Sequence, residues 1–273
     1  MQQGQNLFQR YPLWVFFVLA YVFQFAGTGF HLYLIAIPSP WRDYLHAFTP
    51  TFAALIVAAG IGGSAQIRKL LSGWTRWRVS WIWYLAAFSM TGFPLLIAIV
   101  NILLGNEPAG LAAGGVGFWV GAVIYNMISG PLGEETGWRG FALPRLQTRF
   151  NALTSSLILG VLWAFWHVPL YLEPGGGQQT GFPFYIFIPM TIALSVFFVW
   201  IYNNTGGSLL LTFLTHFFFN FSGAFVAGRL GLMPTSMLFM VAGPLLFVYI
   251  VVVVILAGPR HLSRKRVAIP AIK

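Results

Sequence analysis

The sequence contains no cysteine, so a disulfide framework, a thiolate nucleophile and a thiolate metal site are all closed to it. Charge is scarce as well: 7% of its 273 residues are Asp, Glu, Lys or Arg, against about 25% in soluble domains. Only five of them are acidic. Three signatures of membrane or metal proteases are missing. There is no HExxH zinc motif, no GxGD aspartate motif and no GxSG serine motif, since Phe221-Ser222-Gly223 lacks the leading glycine at the right spacing. Apolar residues fill the gap, with 58% hydrophobic and 18% aromatic residues. That much apolar surface exceeds what an ordinary core hides, so the chain must face lipid. A soluble ligand-binding module is excluded.

Crossing a bilayer takes about 20 apolar residues per helix. Eight runs meet that length: Leu13–Ala36, Phe48–Gln66, Ser80–Leu104, Leu111–Leu143, Leu153–Leu172, Pro183–Tyr202, Ser208–Ala227 and Ser236–Ala257. They are continuous, without the alternation of membrane strands, and backbone groups in lipid must be satisfied within the chain. The expected fold is therefore all-α: a polytopic membrane protein with about eight transmembrane helices, forming a single membrane domain over residues 1–273. The first run is far longer than the apolar core of a signal peptide and is read as a retained helix. The fourth is too long for one simple span and is expected to stop at Pro144, which continues a helix poorly.

Charge tests the helix count. With eight spans, one side carries Arg10, Arg68, Lys69, Arg76, Arg78, Arg139, Arg145, Arg149, Arg260, Arg264, Lys265, Arg266 and Lys273, and the other only Arg42 and Arg229. This asymmetry makes the first side cytoplasmic, termini included. The expected location is a bacterial plasma membrane. The net charge of +10 lies between apolar runs rather than along one polar face, so membrane lipids are the expected partners and nucleic acid is not. Arg145 and Arg149, four apart after Pro144, are read as an interfacial helix touching anionic headgroups.

Of the acids, Asp43, Glu107 and Glu173 fall in expected loops and read as solvated charges. Glu134 and Glu135 fall inside the fourth apolar run, where ionisable groups are costly and mark function. Glu135 and Arg139 are four apart and share a helix face. Glu134 points about 100° away from Glu135, which leaves it available as a general base. Among the histidines, His31, His46 and His261 read as interfacial. His167 and His216 lie within apolar runs, and Asn220 follows His216 by one turn. At about 1.5 Å per residue, Glu134 lies about 14 Å from the cytoplasmic end, His167 about 20 Å and His216 about 12–15 Å, so the four groups can share a layer.

A carboxylate with a histidine activates water, and a second histidine with an amide donates to the oxyanion of a tetrahedral intermediate. The expected chemistry is peptide-bond hydrolysis, with Glu134 and His167 on the water and His216 and Asn220 on the oxyanion. No tightly bound cofactor is expected. The same residues leave a zinc set open, Glu134, His167 and His216 with one free position. They also leave two non-peptidase alternatives. One is a proton-coupled transporter in which Arg139 is a counter-ion and the histidines a proton path. The other is a non-catalytic immunity or scaffold protein of the same fold.

Glu134-Glu135-Thr-Gly-Trp-Arg139 resembles the EExxxR motif of the CPBP family, which includes CAAX prenyl endopeptidases and bacteriocin-processing or self-immunity proteins. Trp163 to His167 resembles that family's FxxxH motif with Trp in place of Phe, and His216 to Asn220 its HxxxN motif. The resemblance covers residues 115–225, a catalytic core within the membrane domain. It implies an eight-helix membrane endopeptidase with a cytosol-facing polar cavity. Glu134, His167, His216 and Asn220 would be its catalytic positions, Glu135 and Arg139 their support, and a peptide or lipid-linked protein its substrate. The first three helices carry no diagnostic residue.

Overall fold

The computed structural model describes residues 5–103, 105, 115–173, 183–223 and 235–264. Glu107, Arg229, Lys265, Arg266, Lys273 and most of the expected loop after Glu173 lie outside them. Among the described residues the regular structure is helical throughout, as lipid demands of a backbone with no water to bond. Five helices are long and apolar enough to span a membrane: Pro12–Tyr33, Trp41–Thr75, Val116–Leu146, Ala152–Leu172 and Phe184–Asn204. Three shorter apolar helices cover Trp81–Leu96, Leu209–Gly223 and Gly243–Ala257. Together they coincide with the eight expected runs, and the chain is a polytopic all-α membrane protein. Its outer surface presents Trp14, Trp81, Tyr185 and Ile255, large apolar groups suited to lipid.

In chain order the helices are α1 (Leu7–Arg10), α2 (Pro12–Tyr33), α3 (Trp41–Leu71), α4 (Trp81–Phe88) and α5 (Gly92–Leu103). Then follow α6 (Val116–Met127), α7 (Gly133–Glu135), α8 (Leu143–Leu146), α9 (Ala152–Trp166) and α10 (Val168–Leu172). Last come α11 (Phe184–Asn204), α12 (Leu209–Asn220) and α13 (Thr235–Ala257). Ser208 caps α12 by accepting from the Leu211 N–H, and Asn151 caps α9 by accepting from that of Thr154. These caps set the starts of the two helices that carry His216 and His167.

Several expected helices are interrupted. The third run breaks at a short 3₁₀ turn, Ser89–Thr91, between α4 and α5. The second run is longer than expected and departs from helical geometry at Gly62 and Gly63. The fourth does not stop at Pro144 but continues through Leu146. It tolerates two prolines because π-helical turns at Ile128–Leu132 and Thr136–Ala142 flank α7 and alter the hydrogen-bond register around them. The fifth breaks at His167, immediately before Val168-Pro169. Proline in the first turn of α10 cannot donate backward, so a helix ends where it would have needed that bond.

Four charge and histidine expectations are overturned. Glu173 is only 4% exposed and bonds Arg42 at 2.8 Å and His31 at 3.2 Å. Asp43 lies in the first turn of α3 and accepts from Ser39 Oγ (2.6 Å) and Tyr125 OH (2.9 Å). His46 is buried inside α3, not interfacial. Each carboxylate meets donors brought from other helices, which sequence spacing does not reveal. Arg145 is likewise buried, its guanidinium 3.7 Å from the Phe141 ring centroid and donating to the Phe141 carbonyl at 2.9 Å. Arg149 is exposed.

The ends of the helices sort as the charge pattern requires. Arg76 donates to the Gly206 carbonyl, the Ala152 N–H bonds the Arg260 carbonyl at 3.0 Å, and Asn203 Nδ2 bonds the His261 carbonyl at 2.8 Å. The basic segments after α3, α8 and α13 therefore gather at one end of the bundle. Arg42, Asp43, Glu173 and His31 occupy the other.

α3 determines where the Glu134 segment sits. A Cβ added to Gly133 would lie 2.5 Å from the Ala47 carbonyl oxygen, and one on Gly137 2.6 Å from Pro50. Gly133-x-x-x-Gly137 is thus a small-residue seam that lets two membrane helices touch backbone to backbone. Pro50 has no N–H for the His46 carbonyl, and the Thr49 hydroxyl covers that oxygen at 2.9 Å. Thr51 Oγ1 donates to the Gly133 carbonyl at 2.6 Å.

Candidate active site

Glu134 and Glu135 occupy the single α-helical turn between the two π-helical ones, and both are buried. Such turns redirect side chains from ordinary helical spacing. Glu135 Oε1 accepts from Arg139 Nη1 at 2.9 Å and faces His216 Nδ1 at 2.9 Å. The Arg139 guanidinium lies between two rings, 4.2 Å from that of Trp163 and 4.3 Å from that of Phe198. Its exposure is 0%. Cation–π contact and one ion pair replace its lost water. Its Nε and Nη2, and Glu135 Oε2, have no hydrogen-bond partner among the described residues, so the pair has no reserve if one member is lost.

Glu134 takes a different direction. Its Oε2 accepts from the Trp163 indole Nε1. Its Oε1 lies 3.4 Å from the point where a Cβ on Gly130 would sit. Asn220 Nδ2 is 3.4 Å and His216 Nε2 3.8 Å from that same point. A carboxylate oxygen, an amide and an imidazole nitrogen, from the Glu134 segment and α12, thus converge on space vacated by one missing side chain.

His167 is joined less directly. The helix break sends its backbone N–H to the Ala164 carbonyl at 3.1 Å, and its ring Nδ1 lies 2.8 Å from the Trp163 carbonyl. A carbonyl only accepts, so Nδ1 carries the hydrogen and Nε2 keeps the lone pair in the neutral ring. The ring packs against Trp166, Phe187 and Trp163 at centroid distances of 4.8, 4.7 and 5.9 Å. Trp163 is also 5.4 Å from His216 and so stands between the two histidines.

Two contributions escaped the sequence reading. Gly130 is a glycine among thirty, and its lack of a side chain gains meaning only with Glu134 and Asn220 placed around it. The first helices also support the site. Trp166 Nε1 donates to Thr49 at 3.2 Å, and Thr49 Oγ1 shares its hydrogen between the His46 carbonyl and Gln24 Oε1 at 3.2 Å, joining α2 and α3 to the residue before His167. No spacing motif links residues so far apart.

The zinc set does not assemble. Among the described residues no three His, Cys, Asp or Glu side chains are grouped so as to hold a metal ion. In this geometry Glu134, His167 and His216 are not grouped as the four-coordinate set that zinc favours.

If Gly130 is where water meets Glu134, Gly130→Ala will cut kcat/KM about a hundredfold without lowering the melting temperature. The added methyl meets its neighbours at ordinary contact distances and helices favour alanine. Undiminished activity in that variant would remove the water from this space.

The fold and site define a helical membrane protein whose second half holds a buried carboxylate and imidazole centre beside a half-buried amide. Residues 116–222 match the family described as type II CAAX prenyl endopeptidase, Rce1-like. The chain is also 27% identical over 131 residues to CAAX prenyl protease 2 of Methanococcus maripaludis, an alignment covering 45% of this chain and 48% of the relative. The chain thus spans about half the length of the curated relative it matches. All three motifs lie within the matched region, so the part of the chain that carries the site is the part similar to the CAAX prenyl endopeptidases.

Proposed function

We propose that the protein is an intramembrane endopeptidase that hydrolyses a peptide bond of a membrane-linked substrate, of the prenylated CAAX kind for which its relative is named. Glu134, His167, His216 and Asn220 are its catalytic residues, and Glu135 and Arg139 support them. The observation that carries this reading is the convergence of Glu134 Oε1, His216 Nε2 and Asn220 Nδ2 on the space before Gly130.

In this mechanism Glu134 takes a proton from water, and the hydroxide adds to the scissile carbonyl carbon. Asn220 Nδ2 donates to the oxyanion that forms, and so does His216 Nε2 when its ring carries both protons, with Glu135 holding Nδ1. The proton held by Glu134 then passes to the amide nitrogen, the C–N bond breaks and the amine leaves. The His167 Nε2 lone pair supplies a second acceptor on the water side. No step calls for a metal, and lipid is the medium from which the substrate enters.

The test uses the purified protein in lipid nanodiscs and a quenched fluorescent CAAX-type peptide, with and without its prenyl group. Cleavage of the prenylated peptide is expected, undiminished by a zinc chelator. Stoichiometric zinc with chelator-sensitive cleavage would replace the metal-free scheme. Proton-coupled uptake without cleavage of either peptide would replace the peptidase reading with a transporter.

A further inference from the structure

We infer that Trp163 is a positioning residue for Glu134: its indole N–H holds one carboxylate oxygen so that the other faces the space before Gly130. The inference rests on the peptidase reading and adds to it a part the motif resemblance does not contain. Phenylalanine, the motif residue at this position, has no N–H.

Three observations support it. First, the division of labour between the carboxylate oxygens is complete. Trp163 Nε1 bonds Oε2, while Oε1 is the oxygen 3.4 Å from the Gly130 point. An indole N–H only donates, so it favours the acceptor form of the carboxylate, the form that takes a proton from water. Second, other donors nearby are committed elsewhere. Arg139 Nη1 bonds Glu135, and His216 Nδ1 faces Glu135 too. Among the described residues Trp163 is the side chain that donates to Glu134. Third, the ring cannot swing away. It is 4% exposed and wedged against the Arg139 guanidinium at 4.2 Å, His216 at 5.4 Å and Phe198 at 5.7 Å. Its backbone carbonyl is covered by His167. A donor packed on three sides imposes its direction on a carboxylate that has two free torsions before the carboxyl group.

The experiment compares wild type, Trp163→Phe and a protein carrying the isosteric benzothienylalanine at 163, which replaces the N–H with sulfur. Both changes are expected to lower kcat about tenfold, the scale of one hydrogen bond to a charged group, with KM within about twofold; the isostere, which keeps the ring, is expected to keep the melting temperature. Independently of activity, nitrogen-15 labelling of tryptophan identifies the Trp163 indole resonance by its loss in Trp163→Phe. That resonance is expected to move upfield in Glu134→Ala. Unchanged kcat in Trp163→Phe, or an indole resonance indifferent to Glu134→Ala, overturns the inference. So does a loss in Trp163→Phe that comes with a lower melting temperature and is absent from the isostere, since that assigns Trp163 to packing. If wild type cleaves no peptide, the peptidase reading falls, and the resonance still decides whether Trp163 holds Glu134.

Discussion

Glu134→Gln is expected to lower kcat about a thousandfold, within the range of losing a positioned general base, while the protein stays folded. Glutamine has nearly the shape of glutamate. Its carbonyl oxygen still accepts from Trp163 Nε1, the bond that holds Oε2 in the native site. The atom facing the Gly130 space becomes an NH₂ group, which donates and takes no proton. Asn220 and His216 remain, so binding of the substrate and part of the oxyanion stabilisation survive, and KM should change little. The measurement is steady-state cleavage of the quenched peptide beside a melting curve. A variant that retains more than about a tenth of wild-type kcat would assign the base elsewhere, with His167 Nε2 the first candidate.

Arg139→Met is expected to be the most destabilising single change in the polar centre, costing about 3–5 kcal/mol. It leaves Glu135 buried with its charge unmatched, and Glu135 Oε2 already lacks a hydrogen-bond partner among the described residues. Methionine retains much of the packing between Trp163 and Phe198, so the loss reports charge more than volume. In detergent the melting temperature should fall by roughly 10 °C, taking the scaling of globular domains as a guide. The double variant Glu135→Gln/Arg139→Met should recover most of that stability, because removing both charges costs far less than stranding one. It should stay catalytically weak, since a neutral amide faces His216 Nδ1 in place of the carboxylate. A double variant no more stable than Arg139→Met would show that packing around the guanidinium, and not the charge, holds this region together.

Much of the bundle was legible in the chain. Long apolar runs have one solution in lipid, and the clustering of basic segments at one end follows from charge asymmetry alone. The interruptions were harder to read. Hydropathy does not distinguish a helix broken at His167 from a continuous one, and Pro169 reveals the break only when its missing N–H is followed back along the chain. Asp43, Glu173 and His46 were misread for a related reason. Their partners Tyr125, Arg42 and Gln24 are remote in sequence, and a charge that finds a donor across the bundle looks the same in sequence as one bathed in water.

The sequence by itself determined that the chain lives in lipid as helices, which segments share a side, and that Glu134, Glu135, Arg139, His167, His216 and Asn220 are its candidate site residues, because few polar residues interrupt its apolar runs. Tertiary structure alone decided the connections among them. Glu135 takes the Nδ1 side of His216, Trp163 donates to Glu134, and an empty side-chain position at Gly130 makes room for the convergence of Glu134 with the Nε2 side. The physical reason is that side-chain direction depends on π-helical register and on how closely α3 approaches Gly133 and Gly137. Both are settled by contacts between helices, and no local spacing encodes them.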